Sequence, residues 1–129
     1  MIRAWSFLSA VILLGGCTGA ASGVVGLGGG SGASSSGQIT VGNFFFQSAH
    51  NSTMNPAVDT VKAGATITWT WNETGTGHSV QSTGSPSFVG SSLLNTNGAS
   101  FSVTFSTAGT YTYDCSQHGL AMTGRVVVQ

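Results

Sequence analysis

Charged residues are scarce in this 129-residue chain: only 5% of positions are Asp, Glu, Lys or Arg, and three basic residues balance three acidic ones. Without a cluster of Lys and Arg, the chain lacks the basic surface with which proteins bind nucleic acids. Disordered chains combine low hydrophobicity with high net charge, whereas 40% of residues here are hydrophobic. The length predicts a single folded domain.

Long hydrophobic runs are also absent. The apolar run from Phe7 to Leu14 is shorter than the about 20 residues that cross a bilayer, but it has the length of a signal-peptide core. It leads into Leu14-Gly15-Gly16-Cys17, which resembles the lipobox of bacterial lipoproteins. The resemblance implies that residues 1–16 are a lipoprotein signal peptide and that Cys17 is lipidated. An ordinary secretory signal with an incidental cysteine is the alternative.

Residues 17–37 consist mainly of Gly, Ser and Ala and carry no charge. This composition predicts a flexible, disordered tether between the lipidated Cys17 and a folded domain at residues 38–129. We therefore expect an exported monomer, lipid-anchored to a bacterial membrane and facing the periplasm or the cell exterior. Cys115 is then the domain's only cysteine. An unpaired thiol in an oxidising compartment is expected to be buried or bound.

Apolar and polar residues alternate through the second half of the chain, and no stretch carries a convincing helical period. Period-two alternation of β-branched and aromatic residues predicts half-buried strands, and glycines separate the runs as turns. An all-β sandwich or barrel is therefore predicted. The predicted strands are Gln38–Phe46, Val58–Lys62, Thr66–Trp71, His78–Gln81, Phe101–Ser106, Thr110–Cys115 and Arg125–Val128.

One short segment near the C-terminus concentrates metal-binding side chains. Cys115, His118 and Met122 lie within eight consecutive positions, and His78 begins a separate predicted strand. Thiolate, imidazole and thioether groups suit copper. Two His and one Cys in a trigonal plane, with a weak axial Met, form the ligand set of blue-copper sites.

At these residues the chain resembles the cupredoxins, the group of plastocyanin, azurin and pseudoazurin. The matching segments are 61–69, 78–80, 109–115 and 122–128. The resemblance implies a Greek-key β-sandwich or barrel with one mononuclear type 1 copper site. It also implies that His78, Cys115, His118 and Met122 are the copper ligands and that redox proteins are the partners.

Three departures from the family leave the subfamily open. Ser79 stands where many cupredoxins have Asn, and Gln117 stands where plastocyanins often have Pro. Three residues separate His118 from Met122, where plastocyanins commonly have four and amicyanins two. A serine hydroxyl can still brace the ligand loop, but the sequence alone does not define the hydrogen bonds around the ligands.

The leading functional hypothesis is electron transfer by a membrane-tethered copper protein that cycles between Cu(I) and Cu(II). By resemblance, the edge of His118 reaches the surface inside an apolar patch of Gly119, Leu120 and Ala121. The first alternative is a copper-binding module for storage, delivery or sensing, in which copper must exchange. The second is an adhesion or surface module without metal, which would tolerate loss of Cys115.

We expect no enzymatic activity. A binuclear copper centre needs a second Cys in the ligand loop, where Gly119 stands, and three His in total are too few for a multicopper oxidase. His50 is interpreted as a surface-loop residue, because nothing nearby supplies a complete ligand set. Trp69 and Trp71 are predicted to pack in the core.

Overall fold

The computed structural model describes residues 33–129, which contain strands joined by turns and loops and no helix. The predicted signal peptide and the lipidation site at Cys17 lie outside the described residues. No helix within 33–129 has the length and apolar character needed to cross a membrane. The strands are β1 (Ser34–Gly42), β2 (Phe45–Ser48), β3 (Ala57–Trp71), β4 (Gln81–Ser82), β5 (Ser100–Phe105), β6 (Gly109–Cys115) and β7 (Gly119–Val128).

The seven strands form one mixed sheet in the order β2-β1-β3-β7-β6-β4, and β5 also pairs with β3. β3 runs parallel to both β1 and β7, whereas β6 and β7 form an antiparallel hairpin. The predicted all-β class is therefore confirmed for the described residues. Because Cys115 ends β6 and β7 begins at Gly119, the hairpin turn carries the predicted ligand loop.

The long strand β3 links the two halves of the sheet. Its residues 57–61 pair with β7, whereas residues 65–70 pair with β5. Side chains alternate between buried and partly exposed positions along both halves, and the exposed residues 62–64 interrupt the pattern between them. Gly64 has a φ of +89°, a left-handed conformation that glycine adopts without steric strain. The two predicted strands in this region are thus one strand that changes partners at this break.

Aromatic side chains fill the interior between the two halves. Trp69 and Trp71 are fully buried, as the sequence predicted. The ring of Trp69 meets that of Tyr113 edge-to-face with centroids 5.3 Å apart, and Tyr113 meets Phe46 at 5.0 Å. Such offset contacts add to the large hydrophobic stabilisation from aromatic burial. The core therefore supports β6, the strand that ends at Cys115.

The N-terminal boundary of the fold differs from the sequence prediction. Strand β1 begins at Ser34, so residues 34–37 belong to the sheet and not to the tether, which was predicted to end at residue 37. Backbone pairing with β3 places these small polar residues in the sheet. Composition missed them because Ser and Gly provide no apolar alternation.

The predicted strand Gln38–Phe46 is wrong as a single element. A turn at residues 43–44 divides it into β1 and β2, which pair with each other. The predicted strand His78–Gln81 is also wrong in extent: only Gln81 and Ser82 form β4, and His78 lies in an isolated bridge opposite Leu94. The strands predicted from residue 101 onward are present, with β7 beginning earlier than expected.

Candidate metal centre

The loop between β3 and β4 holds His78 by its backbone. His78 and Leu94 exchange two N–H···O=C hydrogen bonds of 2.9 Å. The indole N–H of Trp71 donates to the carbonyl oxygen of His78 at 3.2 Å. Since Trp71 is fully buried at the end of β3, these contacts fix His78 relative to the sheet.

The turn between β6 and β7 is held by its own hydrogen bonds. The N–H of His118 donates to the carbonyl oxygen of Cys115 at 3.0 Å, and the N–H of Ala121 donates to that of His118 at 3.2 Å. Gly119 has a φ of +51°, which allows the chain to reverse directly after His118. The turn therefore places two predicted ligands on the same side of one hairpin.

Three of the predicted ligands converge. One ligand atom each from His78, Cys115 and His118 lies within 4.8 Å of the others. Nδ1 of His78 is 3.7 Å from Sγ of Cys115. Metal bonds of about 2.0 Å to nitrogen and about 2.3 Å to thiolate, at a trigonal angle, give a separation of roughly 3.7 Å. The spacing therefore fits an ion bound between the two atoms.

The predicted ligands differ in their exposure to solvent. Cys115 and His78 are fully buried, whereas His118 is partly exposed. Met122, the fourth predicted ligand, is fully buried on β7. The thiol of the site is thus shielded from solvent, and of its two imidazoles only that of His118 is partly exposed to solvent.

The imidazole of His78 is suited to bind a cation as a neutral ligand. Burial lowers the pKa of His78 most strongly; the nearby Glu73 raises that pKa, and His118 lowers it further. Nδ1 of His118 is buried and lacks a hydrogen-bond partner within residues 33–129. A buried nitrogen without a partner is costly, and a metal ion would satisfy its lone pair. The two histidines and the thiol of Cys115 therefore form a donor set of the kind that binds copper.

Comparison with known proteins decides the family. A sequence profile of the copper-binding proteins of the plastocyanin/azurin family matches residues 46–129. This chain belongs to that family. The family and its converging ligand set together establish a single type 1 copper site.

Individual relatives agree with this assignment. A chloroplastic plastocyanin of Tetradesmus obliquus is 39% identical over 83 residues, a match that spans 57% of each chain. A plastocyanin of Scenedesmus fuscus is 36% identical over 83 residues, covering 57% of this chain and 84% of the relative. The chain therefore spans little more than half the length of the first of these relatives.

Solved structures confirm the cupredoxin fold. A purple cupredoxin from Nitrosopumilus maritimus superimposes with a TM-score of 0.56 at 28% identity, over 71% of this chain and 98% of the other. An amicyanin variant superimposes with a TM-score of 0.55 at 24% identity, over 71% of this chain and 80% of the other. The second likeness concerns the fold alone.

Ser79 braces the copper site by hydrogen bonding, as the sequence allowed. Its hydroxyl accepts a hydrogen bond from the N–H of Ser116 at 3.1 Å and lies 2.7 Å from the hydroxyl of Ser116. Ser79 follows His78, and Ser116 follows Cys115. The hydroxyl therefore links the two segments that carry the ligands of the copper site.

Two residues near the copper site were not predicted. Phe44 lies over the histidines, with its ring centroid 4.5 Å from that of His118 and 6.1 Å from that of His78. Glu73 approaches His78 from the other direction, with Oε1 3.4 Å from Nε2. The sequence pattern placed Phe44 inside a predicted strand, and nothing in the polar loop at residues 72–77 singled out Glu73.

The remaining predictions concern the surface. Leu120 is 93% exposed and Ala121 is also exposed, so the predicted apolar surface beside His118 is present and is extended by Phe44. His50 lies in an exposed turn after β2, consistent with its interpretation as a surface residue. Asp114 is partly buried, and burial raises its pKa.

Proposed function

We propose that this domain is an electron-transfer protein that binds one copper ion and cycles it between Cu(I) and Cu(II). The supporting observation is the convergence of His78, Cys115 and His118 within 4.8 Å, with the thiol fully buried. Burial protects the thiol from oxidation. It also argues against ready copper exchange, which a storage or delivery module would need.

Each ligand has a distinct role in this proposal. Cys115, His78 and His118 would hold the copper ion, with Met122 as the predicted fourth ligand, and the ion would supply one-electron redox chemistry. The thiolate of Cys115 would give the strongest electronic coupling, and Met122 would tune the potential. Cu(I) and Cu(II) favour different geometries, so a site held firmly in one arrangement changes little when an electron arrives. The hydrogen bonds of Ser79 and Trp71 to the ligand segments support such rigidity.

The proposed route for the electron is through His118, which is the more exposed of the two histidines. Leu120 and Phe44 present apolar surface beside it. The exposed cation Lys62 lies away from this surface. It follows Val61, which pairs with Val128 beside the start of β6, whereas Cys115 stands at the other end of β6. A small apolar face of this kind favours brief docking of a redox partner protein, because small interfaces dissociate quickly.

The N-terminal sequence supports a membrane-bound version of this function. In this proposal residues 1–16 are removed, Cys17 is lipidated, and residues 17–33 tether the domain to a bacterial membrane on the periplasmic or exterior side. The mature protein is expected to lack residues 1–16 and to carry acyl chains on Cys17, whereas Cys17→Ser is expected to carry no lipid and to keep residues 1–16. Mass spectrometry of both proteins tests this: a mature protein with an unmodified Cys17, or a Cys17→Ser protein cleaved like the unchanged one, would contradict the lipoprotein assignment.

The decisive test is the visible spectrum of the full-length protein in detergent after addition of Cu(II). An intense visible band that a reductant bleaches is expected for the unchanged protein and for Cys17→Ser, but not for Cys115→Ser. The two variants make the same chemical change at the two cysteines of the chain, so only the position differs. Copper bound without colour would favour storage or delivery, and absence of copper binding would overturn the ligand assignment.

A further inference from the structure

Glu73 places a carboxylate against the outer nitrogen of a copper ligand. Its Oε1 is 3.4 Å from Nε2 of His78, and the two side chains are 11% and 0% exposed. Both atoms are buried, and neither makes a hydrogen bond within residues 33–129, so the 3.4 Å approach is the closest polar contact that the structure gives them. The neighbouring Asn72 and Thr74 are exposed, so Glu73 alone turns inward at this point of the loop.

A buried carboxylate needs a compensating positive charge or hydrogen-bond donor. Within residues 33–129 the Glu73 carboxylate pairs with no Lys or Arg: the cations Lys62 and Arg125 are exposed and form no ion pair. For the buried Oε1, the nearby group that can compensate the charge is the N–H of His78, with the positive charge of a metal ion bound on the other side of the ring. The copper site therefore accounts for the inward position of Glu73.

The two nitrogens of His78 face different groups. Nδ1 lies 3.7 Å from the sulfur of Cys115, and Nε2 faces Glu73. A neutral imidazole carries its proton on one nitrogen only, and the hydrogen bond at one nitrogen decides which lone pair is free at the other. An acceptor at Nε2 therefore holds the proton there and leaves Nδ1 free to bind metal.

We propose that Glu73 is a positioning residue of the copper site, which fixes the proton of His78 on Nε2 and favours Cu(II) over Cu(I) by its negative charge. The redox part of this inference rests on the proposed function; the part concerning the proton of His78 does not.

The preference for Cu(II) follows from the charges of the groups. Cu(II) and one thiolate carry one net positive charge, which Glu73 cancels, whereas Cu(I) and one thiolate are neutral and Glu73 leaves a negative site. Reduction transfers one electron from a reduced partner protein, breaks no bond and leaves the proton on His78. Removing the charge of Glu73 therefore makes reduction more favourable and raises the reduction potential.

The first experiment measures the potential and copper affinity of Glu73→Gln and Glu73→Ala. Gln retains an acceptor oxygen without the charge, and Ala removes both. We expect both variants to favour Cu(I) by about tenfold relative to the unchanged protein, which corresponds to a rise of about 59 mV for one electron. Glu73→Ala is also expected to bind copper about 10- to 100-fold more weakly, as is common when such a partner is lost.

Asp114→Asn is the matched control. It removes another partly buried carboxylate, adjacent in sequence to Cys115, that forms no ion pair with His78 in the part of the chain that the structure describes. Its effect on the potential measures what the loss of any negative charge in this region does. If Asp114→Asn raises the potential as much as Glu73→Gln, the specific role of Glu73 is overturned.

The second experiment uses the copper-free protein and nitrogen NMR of His78. We expect the unchanged protein and Glu73→Gln to keep the proton on Nε2, whereas Glu73→Ala loses this preference. A folded Glu73→Ala protein with the same proton position and copper affinity as the unchanged protein would overturn the proposal. A protein that binds no copper, but shifts the proton in Glu73→Ala, would contradict the proposed function while supporting the positioning role of Glu73.

Discussion

The hydroxyl of Ser79 joins the two ligand segments, and its removal gives a defined perturbation. Ser79→Ala deletes the acceptor of the Ser116 N–H at 3.1 Å and the contact with the Ser116 hydroxyl at 2.7 Å. Ser79 is only 4% exposed, so water has little access to replace its hydroxyl. Ser116 is exposed, and its own groups can turn to solvent. The loss therefore falls mainly on the connection between the loops.

The magnitude follows from the number of hydrogen bonds. Each intramolecular hydrogen bond contributes about 1 kcal/mol; the loss of two, partly offset by solvent at Ser116, lowers the free energy of unfolding by roughly 1 to 2 kcal/mol. For a domain of this size, 1 kcal/mol corresponds to about 4 to 8 °C in Tm. We therefore expect the Tm of the copper-free protein to decrease by about 4 to 16 °C.

Thermal unfolding of the copper-free protein measures this effect, and Ser102→Ala is its control. Ser102 makes a similar hydroxyl pair with Thr68, at 2.9 Å, but in an exposed position between β3 and β5. Exposed substitutions of this kind change stability by less than about 0.5 kcal/mol. Copper release to a chelator is expected to accelerate in Ser79→Ala alone. Equal Tm values for the two variants would refute the bracing role of Ser79.

Three further predictions test other parts of the molecule. Burial raises the pKa of Asp59 above its ordinary 3.8, despite the hydrogen bond from Ser48. The carboxyl of Asp59 therefore binds a proton more tightly in the native state than in the unfolded state. The free energy of unfolding is expected to fall as pH rises from 3.8 through the raised pKa. Asp59→Asn, followed by urea unfolding from acid to neutral pH, is expected to flatten this dependence; an unchanged pH profile would contradict it. Gly124→Ala is expected to destabilise the domain by about 1 to 3 kcal/mol in the same assay, because its methyl group would collide with the buried ring of Tyr113; unchanged stability would show that the ring has room to move. Oxidation of hexaammineruthenium(II) by the copper protein should change less than about tenfold between about 0.01 and 0.15 M ionic strength, since the exposed surface beside His118 is apolar; a steeper change would contradict an uncharged docking face.

Much of the fold could be predicted because burial follows the period of two in the sequence. Strand β6 alternates between buried Tyr111, Tyr113 and Cys115 and less buried residues between them, as the sequence pattern indicated. The proximity of Cys115 and His118 was predictable for a related reason: the hairpin turn that joins them is short, so their separation in sequence limits their separation in space. The boundary at Ser34 was not predictable, because backbone pairing alone places that segment in the sheet.

Glu73 and Phe44 could not be predicted for a different reason: each lies where the chain departs from a regular period. A strand through the three phenylalanines would place Phe44 and Phe46 on one face, both in the core. Phe44 instead has a φ of 63°, which is rare for a bulky residue. The amide of Asn55 stabilises this turn by donating to the carbonyl oxygen of Phe44 at 2.8 Å and accepting from the N–H of Phe46 at 3.1 Å.

The consequence of that turn is visible in the exposure of the two rings. Phe46 is fully buried against Tyr113, whereas Phe44 is 51% exposed and lies over His118. Backbone strain of this kind persists only where the surrounding contacts over-determine it, and here the amide of Asn55, eleven residues along the chain from Phe44, supplies two such contacts. The surroundings of the copper site thus depend on contacts between loops, such as Asn55 with Phe44 and Glu73 with His78, while the ligands depend on one short hairpin. Periodicity and spacing in a single sequence report the hairpin but carry no information on the contacts between loops.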